Sequence, residues 1–282
     1  MNQVLAHIGS HFQLEQCDPL ISRHALHWVL SAEVYNTTRR LQIEAWKLVA
    51  QYSTYDQVFY TNEDFGIMAY RGSADAYDIY NDVYVARPGS KSFPKVAPAI
   101  AQMKQILSSG EYKIQVTGHS LGGALARHVG QACGLGVVTF NAASPPSNPA
   151  TSGPNEVDYH IVFDVISAWQ HPNTIRIDKG YRPVVPCLLH KLPIVVRRTL
   201  ERVDQLVMST ARRIVRFIFH RSTKQMIMAH KLENFSNAKS GTRISNENES
   251  ALWMEWWDQL PKGDQQVFRR FVGIGQSLPP VS

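Results

Sequence analysis

The 282-residue sequence predicts an α/β fold, a mostly parallel central sheet flanked by helices, and three observations carry that prediction. Short runs with strand character recur along the chain: Phe65–Tyr70, Tyr112–Val116, Gly136–Phe140 and Val157–Phe163. Val96–Leu107 has helical spacing and stops before Ser108–Ser109–Gly110, and a second helical stretch follows Gly118. Strand, helix, strand, then strand again is the rhythm of a parallel sheet with helices packed on it.

Taken in order, residues 22–51 mix apolar and polar positions at helical spacing and read as one or two helices. Asn62–Glu63–Asp64 sit between two apolar runs, which predicts a hairpin whose second strand is Phe65–Tyr70, ending at Arg71–Gly72–Ser73. Pro88–Gly89 and Pro94 mark a loop before the Val96 helix, and residues 145–154 form a Pro- and Ser-rich loop between strands. Near the C-terminus Trp253, Trp256 and Trp257 have helical spacing. This reads either as a terminal helix packed on the core or as an interfacial aromatic patch.

A composition of 44% hydrophobic and 18% charged residues is that of an ordinary globular protein, long enough to bury a large core as one domain. The three cysteines, Cys17, Cys133 and Cys187, are odd in number and far apart, so neither a disulfide framework nor a Cys-x-x-Cys metal pair is present. The N-terminus lacks the apolar core of a secretory signal, and no run is long enough to span a membrane. The expectation is a protein soluble and cytoplasmic at synthesis, with leaderless export or peripheral membrane action left open.

The chemistry concentrates at Gly118–His119–Ser120–Leu121–Gly122, a G-x-S-x-G with a strand before it and a helix after it. A serine hydroxyl is a poor nucleophile unless a tight turn exposes it to a base, and the flanking glycines permit that turn. The helix starting after Ser120 aims backbone N–H groups at a developing oxyanion, and Leu121 N–H is the natural donor. The motif predicts an α/β-hydrolase with Ser120 as nucleophile, against a fortuitous Gly-rich turn, and in that fold the acid and then the histidine follow along the chain. Asp164, at the end of the strand His160–Ile161–Val162–Phe163, is the expected acid. Asp178 is the second choice, and Asp158 is set aside as lying at the wrong end of that strand. Four histidines lie downstream: His171, His190, His220 and His230. His171 is too close to the acid and His220 falls in a basic helix, which leaves His230 as the expected base and His190 as the alternative. His119 and His128 belong to the elbow and its helix.

Gly118–His119–Ser120–Leu121–Gly122–Gly123–Ala124–Leu125–Ala126 closely resembles the nucleophile elbow of the class 3 (fungal-type) lipases, and the resemblance extends over roughly residues 55–235. It implies an α/β-hydrolase that cleaves carboxyl esters of acylglycerols or phospholipids. It also implies that Tyr70–Arg71–Gly72–Ser73 is the family's strand end, with Ser73 as the second oxyanion donor, and that Asp78 and Asp82 match an Asp-rich helix start. Asp164 followed by Val165, and His230 followed shortly by Phe235, fit the family's acid and base positions. No metal- or nucleotide-binding pattern is present, and a serine mechanism requires no cofactor.

Between Lys191 and Lys224 the chain carries nine basic residues against Glu201 and Asp204, which outweighs the net +6 of the whole. On a helical wheel Val196, Leu200, Val203, Val207, Ala211, Ile214 and Ile218 share one side, and Arg198, Arg202, Arg212, Arg213 and Arg216 take the other. Two readings stay open. The arginines meet an anionic membrane surface, or they are solvated on a helix whose apolar side joins the core. The expected organisation is one α/β-hydrolase domain over 1–282. It has an N-terminal helical part (1–54), a hydrolase core (55–190 and 225–250), a basic amphipathic helical insertion before the catalytic histidine (191–224) and a C-terminal helical tail (251–282). The expected function is serine-dependent hydrolysis of lipid esters. The alternatives are a catalytically inactive hydrolase-fold binding module for membrane or protein, or a small-ester esterase or thioesterase. Nothing points to nucleic acid, and protein partners are not identified.

Overall fold

The computed structural model describes residues 18–36, 40–43, 45–72, 95–143, 155–164, 167, 173–181, 229, 231–235 and 241–259. Eight strands form one sheet in sequence order: β1 (Lys47–Leu48), β2 (Gln57–Asn62), β3 (Phe65–Tyr70), β4 (Lys113–His119), β5 (Gly136–Phe140), β6 (Glu156–Ile161), β7 (Thr174–Asp178) and β8 (Thr242–Ile244). β3 through β7 run parallel, and antiparallel pairs close both edges. The helices are α1 (Ala25–Glu33), α2 (Val96–Ser108), α3 (Leu121–Cys133) and α4 (Asn246–Asp258). This is a mixed α/β architecture compatible with an α/β-hydrolase.

Alternation along the strands sorts the core into two layers, because successive side chains point to opposite faces. Val58, Tyr60, Ile67 and Ala69 join α1 (Trp28, Val29), Val138, Phe140, Tyr159 and Phe235 on one face. Phe59, Met68, Tyr70, Val116 and Val137 join α2 and α3 (Met103, Ile106, Leu125, Val129) on the other. β4 is polar toward α1, and the helix answers with polar groups. His27 Nε2 lies 2.8 Å from Gln115 Oε1, and Ser31 Oγ 3.0 Å from Thr117 Oγ1. Burial, the dominant influence, lowers His27 to a pKa of about 4, so this ring is neutral and serves the core.

The expected helical reading of residues 22–51 holds only for its first part. A 3-10 turn (Pro19–His24) leads into α1, which ends at Glu33, and Lys47–Leu48 is a strand paired to Tyr60 and Thr61. Beyond its last turn the helix end is held by the segment that follows it. Glu33 Oε1 accepts from Leu41 N at 2.8 Å, and Arg40 Nη1 donates to the carbonyls of Glu33 (3.2 Å) and Asn36 (2.8 Å). Tyr60 then fixes the returning chain by donating to Leu41 O.

Burial pushes Glu33 up to about 7, against the bond from Leu41 N–H and the charge of Arg40. The folded state therefore holds this proton more tightly than the unfolded chain. The stability it lends is complete below about 4.5 and is lost as pH rises through about 7. Glu33→Gln is expected to flatten the fall in unfolding temperature between acid and mildly alkaline pH, a difference on the order of 2 kcal/mol. Thermal melts of both proteins across that range check it, and parallel curves would show that Glu33 does not set the dependence.

At the far edge α4 packs as a core element, with Trp256 and Trp257 buried and Trp253 against Phe163 at 4.7 Å between ring centroids. Among the described residues no helix is long and apolar enough to cross a membrane. The basic segment 191–224 and residues 260–282 lie outside the described residues.

Candidate active site

The carboxyl ends of β3, β4, β5 and β6 lie side by side, and the chain leaves them at Gly72, Ser120, Asn141 and Asp164 respectively. In parallel sheets this edge is where ligands bind, because loops leave the strands there and helix N-termini point back at it.

Ser120 links β4 directly to α3 with φ 58° and ψ −128°, a conformation L-residues rarely adopt. The turn is tight enough that a Cβ on Gly118 would strike the backbone of Gly122, and one on Gly122 would strike Tyr70 O and the backbone of Arg71. Only glycine allows helix, nucleophile strand and neighbouring strand to approach this closely. The elbow is pinned by its backbone: Ser120 N donates to Phe140 O (3.3 Å), and Ser120 O accepts from Ala124 N (3.1 Å) and Ala143 N (2.9 Å). Ser120 occupies the N-cap position, yet its hydroxyl makes no capping bond. Its Oγ is buried and has no hydrogen-bond partner among the described residues. Leu121 is the first residue of α3, with its N–H at the positive end of the helix dipole.

The strand end of β3 is held from α1's side. Gly72 N donates to Tyr35 Oη at 3.1 Å, and the Arg71 guanidinium lies over the Tyr55 ring (3.9 Å) and beside that of Tyr35 (5.4 Å). Ser73, which follows, lies outside the described residues, as do His230, His190, Asp78 and Asp82.

Asp164 is fully buried, three residues beyond the end of β6. Its Oδ2 accepts from Ser167 Oγ at 2.5 Å. The two other carboxylates weighed from the sequence also have partners. Asp158 sits within β6, not before the strand, and is bound by Thr139 Oγ1 (2.7 Å) and Arg127 (3.2 Å). Asp178 Oδ1 accepts from Gly180 N at 2.6 Å. Arg127 also pairs with Glu156, so one face of β6 carries Glu156, Asp158 and His160 in line.

Two features of the edge had no signature in the sequence. Asn141, at φ 46°, accepts from Ile161 N (2.8 Å) and donates to Ala229 O (3.0 Å), which ties the segment around Ala229 to the ends of β5 and β6. His160 is buried between Ser167 Oγ and Glu249 Oε1, each 2.7 Å away. Burial alone would lower the His160 pKa. The charge and hydrogen bond of Glu249, with Asp164 and Asp158 beyond, outweigh it and hold the ring above its ordinary value.

This edge carries a strained serine between a parallel strand and a helix. A family model for phospholipase-like proteins, the Tle-like phospholipase domain, matches residues 29–174, just over half of the chain and a stretch that includes Ser120 and Asp164. The chain belongs to the Tle-like phospholipase domain family. What the match supports is the broader lipase and phospholipase class, without singling out the class 3 fungal-type lipases that the elbow resembles. No curated protein matches the chain. Among solved structures it is similar to the native Rhizomucor miehei lipase propeptide complex, with 18% identity, a TM-score of 0.36, and coverage of 56% of this chain and 68% of that one. A deletion mutant of the same complex gives 19% identity, a TM-score of 0.36, and coverage of 56% and 67%.

Proposed function

We propose that this protein is a serine-dependent carboxylester hydrolase acting on lipid esters, of the lipase or phospholipase A type. Its triad is Ser120, Asp164 and His230, and its oxyanion donors are the backbone N–H groups of Leu121 and Ser73. The observation that carries the reading is Ser120 itself. It is strained, held at the carboxyl edge between β4 and α3, and its hydroxyl is not spent on capping the helix it begins. Strain maintained by so many surrounding contacts is what a pre-organised nucleophile requires. The base assignment is supported by Ala229, the residue before His230, whose carbonyl Asn141 anchors at the ends of β5 and β6.

Acyl transfer then runs as follows. His230 takes the Ser120 proton as Oγ attacks the ester carbonyl, and the negative oxygen of the tetrahedral intermediate falls to the Leu121 and Ser73 N–H groups. The imidazolium returns its proton to the departing alcohol, leaving an acyl-enzyme. Water, deprotonated by the same histidine, releases the fatty acid. Asp164 holds the imidazole in the productive tautomer and stabilises its charged form. Family membership points to phospholipid as substrate. A panel of phospholipid, triacylglycerol and a short soluble ester, run with the wild type and with Ser120→Ala, tests this. Turnover of phospholipid that depends on Ser120 supports it. A turnover confined to the short ester would make it an esterase, and none on any substrate would favour the binding-module alternative.

Segment 191–224 supplies the membrane contact in this reading. Replacing Arg212, Arg213 and Arg216 with Gln is expected to weaken binding to anionic vesicles, each arginine contributing about 1 kcal/mol near the surface. The effect is greatest at low salt, and short-ester turnover stays unchanged. Co-sedimentation with anionic and neutral liposomes checks it, and equal binding of variant and wild type would retire the membrane role.

A further inference from the structure

Behind Asp164 lies a buried chain of polar groups drawn from three separate parts of the fold. Arg176 Nε on β7 donates to Glu249 Oε2 on α4 (2.6 Å), and Glu249 Oε1 lies 2.7 Å from His160 Nε2 on β6. His160 Nδ1 lies 2.7 Å from Ser167 Oγ, which reaches Asp164 Oδ2 at 2.5 Å. All five residues are at least nine-tenths buried. With Asp164 and Glu249 both ionised, one arrangement of protons satisfies every bond. Ser167 has one hydrogen and gives it to the Asp164 carboxylate, so toward His160 it accepts, and Nδ1 must donate. Against its burial, His160 first and Arg176 after it hold the Glu249 carboxyl below its ordinary range, and the ionised group has only lone pairs to offer, so Nε2 donates as well. A ring that donates from both nitrogens is an imidazolium. The chain therefore alternates in charge: Arg176 positive, Glu249 negative, His160 positive, then the Ser167 hydroxyl and Asp164 negative. Among the described residues Asp158 on its own strand also faces His160, and Arg127 of α3 pairs with Asp158. A buried chain of this kind is costly to assemble and is rigid once every member is satisfied.

We propose that Ser167, His160 and Glu249 are positioning residues for Asp164. They lock the orientation of its carboxylate through Oδ2 and moderate its charge, so that Oδ1 is presented to the base at a fixed angle. The inference rests on the reading of Asp164 as the triad acid. None of the three touches the reacting atoms. They act through the hold they give Asp164 on the base.

A pH–rate profile on a short soluble ester with full-length protein separates this from plain packing. Ser167→Ala removes one hydroxyl and leaves the fold, which circular dichroism and a thermal melt verify. Its kcat is expected to fall about tenfold or more with KM unchanged, because a loosened acid misaligns the base in the chemical step. The acid limb of kcat/KM is expected to move to higher pH. A carboxylate that loses a hydrogen bond directs more of its charge to the base and stabilises the imidazolium. Ser167→Thr, which keeps the hydroxyl, is expected to leave the limb in place. If Ser167→Ala retains the wild-type kcat and limb, or if Ser167→Thr moves the limb as far as alanine does, the positioning chain is overturned. Asp164→Asn is run beside them. If it stays active, the triad reading beneath the proposal fails. If it inactivates while Ser167→Ala behaves as wild type, only the positioning chain fails.

Discussion

Ser120→Ala is expected to remove lipid-ester hydrolysis by on the order of 10⁴- to 10⁶-fold while the protein folds as before. The size follows from the role. Without the hydroxyl there is no acyl-enzyme, and the oxyanion donors are left to assist only direct attack by water. The fold is spared because the elbow is held by backbone bonds from Ser120 to Phe140, Ala124 and Ala143, all of which alanine retains. The hydroxyl also has no hydrogen-bond partner among the described residues, so no bond recorded there is lost with it. A fluorophosphonate probe should label the wild type at Ser120 and leave the variant unlabelled. Labelling at another serine, or a variant that retains activity and matches the wild type in its melt, would remove Ser120 from the chemistry.

The elements legible in the sequence were those whose pattern is local. β3 and β5 fall at Phe65–Tyr70 and Gly136–Phe140, the bounds read from the sequence, and α2 runs one residue past its predicted end, to Ser108. Ser120 was legible because G-x-S-x-G packs the geometric demand of the elbow, two close backbone approaches and one strained residue, into five positions. The helical reading failed at the described residues 45–49 because what holds the end of α1 does not stand in its own last turn. The Glu33 side chain accepts from Leu41 N, its carbonyl accepts from Arg40, and β1 is only two residues long, too short for any period to show. The chain behind Asp164 was illegible for the same reason. His160 and Glu249 are 89 positions apart, neither stands in a motif, and α4 was read for its tryptophans alone. Choosing Asp164 over Asp158 by place in the strand went no further than the sequence allows. In the structure Asp158 lies within β6, bound by Thr139 and Arg127, and Asp164 lies beyond the strand end, bound by Ser167.

Asp164→Asn and His230→Ala are each expected to lower kcat by about three to four orders of magnitude, and the double variant is expected to be little worse than either. The two side chains act as one unit. Asparagine in place of Asp164 offers an N–H where the base needs an acceptor, which favours the wrong imidazole tautomer, so a histidine is present but turned to the wrong use. Once the base is gone, the acid has nothing to orient, and its own loss costs nothing more. Independent residues would instead multiply their losses, and the double variant would fall by the product. The fold offers a control. Circular dichroism and a thermal melt of Asp164→Asn check that it still folds, since asparagine keeps an acceptor oxygen for Ser167 but removes a buried negative charge that faces His160. Kinetics of the four proteins on a short soluble ester decide the matter. If His230→Ala keeps full turnover while His190→Ala loses it, the base is His190. If the two losses multiply, Asp164 and His230 do not belong to one triad.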